Sequence, residues 1–160
     1  MSKNTSMLVE RLNTERDKTL EFFSTLPDPI WTEKLYADGE HWTVRQVFVH
    51  LVQTENSILH LMKKVKDGAG GVTEDFDLNG YNERKVRQAE SAPLAELLGL
   101  FKTHRAATID WVKDLSDEDL AKQGRHPFLG IGPIEEMVKL LYRHTQLHQR
   151  DIRRLMDTAD

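Results

Sequence analysis

Four long stretches of this sequence repeat their apolar residues at a helical period, and no stretch alternates apolar and polar residues as a strand does. They cover residues 7–26, 43–67, 93–115 and 133–156. Each helix with one apolar stripe must bury that stripe against other helices. The sequence therefore predicts an all-α fold, an antiparallel four-helix bundle.

Local signals set the ends of the first two helices. Proline cannot continue a helical hydrogen-bond ladder, so Pro27 and Pro29 end the first helix. Thr43 and Gln46 have the spacing of a capping box, which predicts the start of the second helix. The glycine-rich segment 68–71 ends it.

The connections between these helices are predicted to carry little regular structure. Residues 72–90 form a long polar crossover between helices two and three, with a short helix near 78–86. Ser116 is expected to cap another short helix, and 124–132 is a loop rich in helix breakers. A chain of 160 residues has the size of one domain, so we expect a single domain over 1–160.

Composition excludes several classes of function. The chain has no cysteine, which rules out disulfides, thiolate ligands and a cysteine nucleophile within it. Basic and acidic residues are interspersed and the net charge is −4, so we expect no nucleic-acid partner. No apolar run reaches the roughly 20 residues that span a bilayer, and the N-terminal residues lack a signal-peptide pattern. We therefore expect a cytoplasmic protein without membrane contact.

Two histidines in the fourth helix are the strongest indication of a functional site. His144 and His148 lie four residues apart, which places them about 40° apart on one helical face. Met137, Leu141 and Ile152 share that face, so both imidazoles point into the bundle. They are either neutral, hydrogen-bonded core residues or two ligands of one metal ion. A shared ion would satisfy both rings, whereas an unpartnered buried ring costs about 1–3 kcal/mol.

A third ligand must come from another helix, and His50 is the candidate. It lies in the middle of the second helix, at the edge of that helix's apolar stripe. Considered alone, it is better explained as a partly exposed polar residue than as a ligand.

Two motifs resemble the DinB-like superfamily. The segment 42–51, Trp-Thr-Val followed by a helix that carries His50, is similar to the family's first ligand motif. The pair His144 and His148, after a glycine-bearing loop, is similar to its closing H-x-x-x-H motif. The resemblance extends over nearly the whole chain, including the crossover at 77–82.

The resemblance implies one divalent metal ion held by His50, His144 and His148, with a coordination position left open. Imidazole ligands suit zinc and nickel, which are the leading candidates, while iron, cobalt and manganese stay open. Members of the superfamily include transferases that use low-molecular-weight thiols and proteins described as metal-dependent hydrolases. The resemblance also implies homodimers.

Other polar residues have two interpretations each. His104, on the core-facing line of helix three, could contact a ligand histidine or substrate, although a satisfied core histidine explains it better. His126 could overhang the metal, but a solvated loop residue is the simpler interpretation. Glu55 could act as an acid–base group or form a peripheral salt bridge. His41 and His60 are not expected to be ligands.

Three functions remain open at the level of the sequence. The first is a metal-dependent enzyme, a thiol-dependent S-transferase or a hydrolase, that acts on a small organic substrate. The second is a non-catalytic metal- or small-ligand-binding module related to stress. The third is a structural bundle whose histidines bind nothing.

Overall fold

The computed structural model describes residues 1–36 and 41–158 of the chain. In this part, the elements follow in the order α1 (Lys3–Ser24), a 3₁₀ helix (Asp28–Thr32), α2 (Val44–Lys66), α3 (Leu78–Ala89), α4 (Leu94–Lys113), α5 (Asp117–Ala121), β1 (Gln123–His126), β2 (Gly130–Pro133) and α6 (Ile134–Thr158). The long helices α1, α2, α4 and α6 form the bundle, and the crossover between α2 and α4 contains α3. The all-α four-helix bundle is therefore confirmed.

The bundle helices alternate around a common core, with α1 and α2 each packed against both α4 and α6. Thr5 Oγ1 at the start of α1 donates to Leu115 O, just beyond the end of α4, at 3.1 Å, so these two helices run antiparallel as predicted. The Arg45 guanidinium at the start of α2 donates to Ala92 O, just before α4. Helices α2 and α4 therefore run parallel, because the crossover returns the chain to the end where α2 began.

The predicted capping box is present at the start of α2. Thr43 Oγ1 accepts a hydrogen bond from Gln46 N–H at 3.2 Å, and Thr43 N–H donates to Gln46 Oε1 at 3.0 Å. Both bonds satisfy N–H groups that have no partner within the helix. This cap sets the start of α2 and thereby the turn on which His50 lies.

The segment predicted as a loop at 124–132 is a small antiparallel hairpin, which corrects the expectation that the chain has no strands. Strands β1 and β2 pair Gln123 with Pro133 and His126 with Gly130. Strands of four residues that include glycines are too short to show the alternation by which strands are recognised. Pro133, expected early in the last helix, is instead the last residue of β2.

Gly71 fixes the hairpin against the end of α2. Arg125 N–H donates to Gly70 O at 2.8 Å, and Val72 N–H donates to Arg125 O at 2.9 Å. Gly71 has a φ of +93°, and a Cβ there would lie 2.3 Å from Arg125 O. Only glycine suits this position, and its contact with β1 holds the adjacent His126 in place.

The core contains two groups of buried apolar side chains. One lies between the start of α1 and the end of α4, around Leu12, Met62, Val112 and Met137. The other lies toward the opposite end, around Phe23, Phe48 and Phe101, and continues to the 3₁₀ helix. Within residues 1–36 and 41–158, no helix is long and apolar enough to cross a membrane.

Candidate metal centre

Three histidine side chains from two helices converge on one point. His50 Nε2 lies 3.1 Å from His144 Nε2, which lies 2.9 Å from His148 Nε2. Three imidazole nitrogens around a tetrahedral zinc ion, each at about 2.0–2.1 Å, are about 3.3–3.4 Å apart. The ligand atoms of the three residues all lie within 4.8 Å of one another, a set that fits a single divalent ion.

Burial keeps these histidines neutral. Desolvation, followed by the charge of His148, lowers the pKa of His50 to about 3. Desolvation lowers the pKa of His148 to about 4, and it lowers that of His144 well below its ordinary value, with further contributions from the other histidines. Neutral imidazole is the form that binds metal ions, so no proton has to be displaced near pH 7.

Hydrogen bonds hold the other ring nitrogens of two of these histidines, and they fix the tautomer of His148. Tyr36 O–H donates to Asp151 Oδ2 at 2.7 Å, so its oxygen accepts from His148 Nδ1–H at 2.7 Å. Burial and the Asp151 carboxylate raise the pKa of Tyr36, which keeps the hydroxyl protonated. On α2, His50 Nδ1 lies 3.3 Å from Thr54 Oγ1. With its proton on Nδ1, His148 presents the Nε2 lone pair to the common point, and the Thr54 hydroxyl can accept the Nδ1 proton of His50 in the same way.

His126 is buried next to this cluster, which corrects the expectation of a solvated loop residue. Its exposure is 4%, and Nδ1 accepts hydrogen bonds from the backbone N–H groups of Phe128 and Leu129 at 3.0 and 3.1 Å. The ring proton must therefore lie on Nε2, which has no hydrogen-bond partner in the described part of the chain. Desolvation lowers the pKa of His126 to about 4.

Glu55 forms a salt bridge, which was one of its two interpretations, but the salt bridge lies in the core and not at the periphery. Arg105 donates from Nε to Glu55 Oε1 at 2.6 Å and from Nη2 to Oε2 at 3.1 Å, and both side chains are almost fully buried. Both carboxylate oxygens are thus engaged in an ion pair. His104, expected to face the core, is only partly buried, because Arg105 occupies the inward position of α4.

The three histidines line a cleft of about 1060 Å³. Its walls are α2, α3, α6 and the β1–β2 hairpin, and His126 and the exposed His60 also line it. His104 and Glu55 are not among its lining residues. The volume is at the upper end of the range for small-molecule sites.

The sequence profile of the DinB superfamily matches residues 11–152 of this chain. The chain belongs to the DinB superfamily. This membership confirms the resemblance carried by the tryptophan motif and the paired histidines. A search of curated proteins finds no match.

Several solved structures share the DinB fold with this chain. One is YfiT from Bacillus subtilis, which is described as a probable metal-dependent hydrolase with an unusual four-helix bundle topology. It matches with a TM-score of 0.79 at 20% identity, and the match covers 99% of this chain and 90% of YfiT. The mycothiol-dependent maleylpyruvate isomerase has a TM-score of 0.71 at 15% identity, and the match covers 95% of this chain and 63% of that protein. The colibactin self-resistance protein ClbS, solved in complex with dsDNA, has a TM-score of 0.75 at 15% identity over 96% of this chain and 95% of its own. These similarities concern the fold.

Proposed function

We propose that this protein is a metal-dependent enzyme in which His50, His144 and His148 bind one divalent ion at the wall of a substrate cleft. The observation that carries the proposal is the convergence of three Nε2 atoms, with contacts of 2.9 and 3.1 Å. A divalent cation between these nitrogens satisfies all three lone pairs at once, whereas hydrogen bonds among neutral imidazoles engage the rings only in pairs. The ion is zinc or nickel in the first place, with iron, cobalt and manganese as further candidates.

When bound, such an ion supplies Lewis acidity to a thiol or a water molecule in the cleft. The protein's own residues supply orientation. Tyr36 and Asp151 hold the ring of His148, and Thr54 holds that of His50. The open cleft leaves room beside the histidines for a reactant, which favours an enzyme over a closed structural site.

We propose a thiol-dependent S-transfer or a hydrolysis as the reaction. Relatives of the same fold are described as a probable metal-dependent hydrolase and as a mycothiol-dependent isomerase. The chain has no cysteine, so a reacting thiol must be a separate, low-molecular-weight cosubstrate. The alternative is a metal- or small-ligand-binding module without catalysis, which would bind the ion and turn over neither class of substrate.

A small molecule is the proposed partner. The ClbS structure contains dsDNA, but the present chain has a net charge of −4 and no basic stripe in its sequence. A homodimer, which the family resemblance implies, and a cytoplasmic location, which the sequence indicates, stay predictions.

Metal content of the purified, untagged protein tests the site. We expect about one equivalent of divalent metal per chain, lost in both His50→Ala and the double variant His144→Ala/His148→Ala. His60→Ala is the matched control, because His60 is exposed and lines the same cleft without belonging to the cluster. It should retain the metal.

Two results would contradict the proposal. One is a parent protein that contains no metal and also fails to bind added zinc and nickel. The other is metal binding that persists in both ligand variants, since this would place the ion elsewhere. With the site established, thiol-transfer and hydrolysis substrates are screened with the parent and His50→Ala, and only the parent should be active.

A further inference from the structure

The cleft that contains the three histidines has an unbalanced set of charges. Lys64, Lys85, Arg143 and Arg150 line it, and none of its lining residues in the described part of the chain is Asp or Glu. The chain as a whole has the opposite balance, with 26 acidic and 22 basic residues. A concave surface lined by one sign of charge concentrates the electrostatic field and attracts ligands of the opposite sign.

Two of these four basic side chains are free to meet a ligand. Arg143 and Arg150 each have an acidic neighbour on α6, at 3.3 and 3.6 Å. Lys64 and Lys85 form no ion pair with any residue of 1–36 or 41–158. Their ammonium groups therefore leave a positive potential in the cleft.

Helix α3 places Lys85 beside the part of α2 that carries the first histidine. Tyr81 OH lies 2.8 Å from Ser57 Oγ, and Gln46 Nε2 donates to Glu90 Oε2 at 3.1 Å, so α3 runs antiparallel along α2. Lys85 lies between these two contacts. Its Nζ is 5.6 Å from the centroid of the Tyr81 ring.

The remaining wall of the cleft is mainly apolar. Phe76, Tyr81 and Phe128 line it together with Leu140 and Leu147. Tyr81 and Phe76 are in contact, with ring centroids 5.5 Å apart. Such a surface binds an aromatic or aliphatic group of a ligand, whereas the lysines attract a negatively charged group.

The buried N–H of His126 is a second and independent indication of a ligand, one that carries a hydrogen-bond acceptor. Its Nε2–H is an unpaired donor on a side chain that is only 4% exposed and lines the cleft. Buried polar groups without a partner are rare in native proteins, because leaving one unpaired is unfavourable. A carboxylate oxygen is an acceptor that forms a strong, charge-assisted bond with such a donor.

We infer that the cleft selects a small organic carboxylate with an apolar body. The positive potential of Lys64 and Lys85 and the N–H of His126 recognise its charged group, and the aromatic wall binds the rest. The inference deepens the proposed function and rests on it in one respect, that the cleft is the substrate site.

Binding of three probes of equal shape and different charge tests this inference. Calorimetric titration of the zinc-loaded protein uses 3-phenylpropanoate, 3-phenylpropanamide and 3-phenylpropylamine. We expect the carboxylate to bind about tenfold more tightly than the amide and the amine to bind most weakly. Added salt should reduce the affinity for the carboxylate and leave that for the amide unchanged.

Substitutions of cleft residues test whether the cleft causes the preference for the carboxylate. Removing one charge weakens an ion pair near the surface by about 1 kcal/mol, so Lys64→Gln or Lys85→Gln should reduce the affinity for the carboxylate about fivefold, and the double variant more. Lys102→Gln is the control, because Lys102 is exposed on α4 away from the cleft. His126→Asn keeps an acceptor for the loop N–H groups but lacks the Nε2–H, and we expect a loss of about fivefold.

The metal ion itself could hold a carboxylate, so the titrations are repeated with the metal-free double variant His144→Ala/His148→Ala. Chelator-treated parent protein replaces it if circular dichroism shows that the variant is unfolded.

A preference for the carboxylate that remains without metal supports the inference. A preference that disappears, or equal affinities for carboxylate and amide in the loaded protein, overturns it. A parent that binds no metal but retains the preference contradicts the proposed function and leaves this inference standing.

Discussion

At the scale of single residues, one hydroxyl group orients His148, a proposed metal ligand. Tyr36 OH connects His148 Nδ1 to Asp151 Oδ2 through two contacts of 2.7 Å. A partner of this kind keeps the histidine in one tautomer and orientation, and removing it lowers metal affinity by about 10- to 100-fold. Tyr36→Phe should therefore weaken zinc binding about tenfold or more, measured by competition with a chromophoric chelator.

The matched control for this prediction is Tyr81→Phe. Tyr81 lines the same cleft, but its hydroxyl binds Ser57, and its ring forms no hydrogen bond or ring contact with the three histidines. Its variant should bind zinc as the parent does. Equal affinities in the two tyrosine variants would mean that Tyr36 does not position the ligand.

At the scale of residues, sequence reasoning identified the histidines better than their surroundings. The four-residue spacing of His144 and His148 is a property of the helix, so their convergence could be predicted. The burial of His126 depends on the hairpin and on its contact with Gly71. Gly71 is distant from His126 in the sequence, so no local pattern indicates this contact. Arg105 was missed because charged residues are usually assigned to the outer face of a helix. Arg105 follows Leu97 and Phe101 at a regular spacing of four residues, which indicates an inward position on α4. Glu55, near the apolar stripe of α2, indicated a partner of opposite charge.

At the scale of elements, the Glu55–Arg105 pair ties all four bundle helices together. Arg105 on α4 binds Glu55 on α2, and it also donates to Leu12 O on α1 at 3.1 Å and to Leu141 O on α6 at 3.4 Å. Arg105→Leu would leave a buried carboxylate without its partner. We expect the free energy of unfolding to fall by about 3–5 kcal/mol, measured by urea denaturation.

The double variant Glu55→Leu/Arg105→Leu separates the ion pair from the packing. Apolar side chains of similar volume can replace a buried pair at little cost, because no charge is then left unpaired. The double variant should therefore be more stable than Arg105→Leu alone. If it is equally or less stable, the bonds from Arg105 to Leu12 O and Leu141 O matter more than the pair.

The elements that the sequence predicted have either a long periodic pattern or a clear cap, and the short helix α5 begins after Ser116 as expected. The four long helices and the short helix α3 each extend over several turns, so their apolar stripes and caps were visible in the sequence. Strands β1 and β2 are stabilised by their pairing with each other and by contact of β1 with residues 70–72. The contacts of β1 with residues 70–72 join residues more than 50 positions apart, and a local pattern cannot indicate them.

At the scale of the whole molecule, the proposed metal ion would join α2 to α6, whereas two apolar cores hold the bundle by themselves. Removal of the metal should therefore lower stability without unfolding the protein. At a free zinc concentration 100 times the Kd, binding contributes about 2.7 kcal/mol, because only the folded chain offers the assembled site. For a domain of this size this corresponds to a decrease in Tm of about 5–10 °C on addition of a chelator.

Thermal unfolding followed by circular dichroism, with zinc or with chelator, measures this difference. The helical signal at 25 °C should be the same in both conditions, since the apolar cores do not depend on the ion. His50→Ala should show one Tm in both conditions, close to that of the chelated parent, and His60→Ala should respond as the parent does. A parent whose Tm is the same with zinc and with chelator would show that the three histidines do not join α2 and α6 through a metal ion.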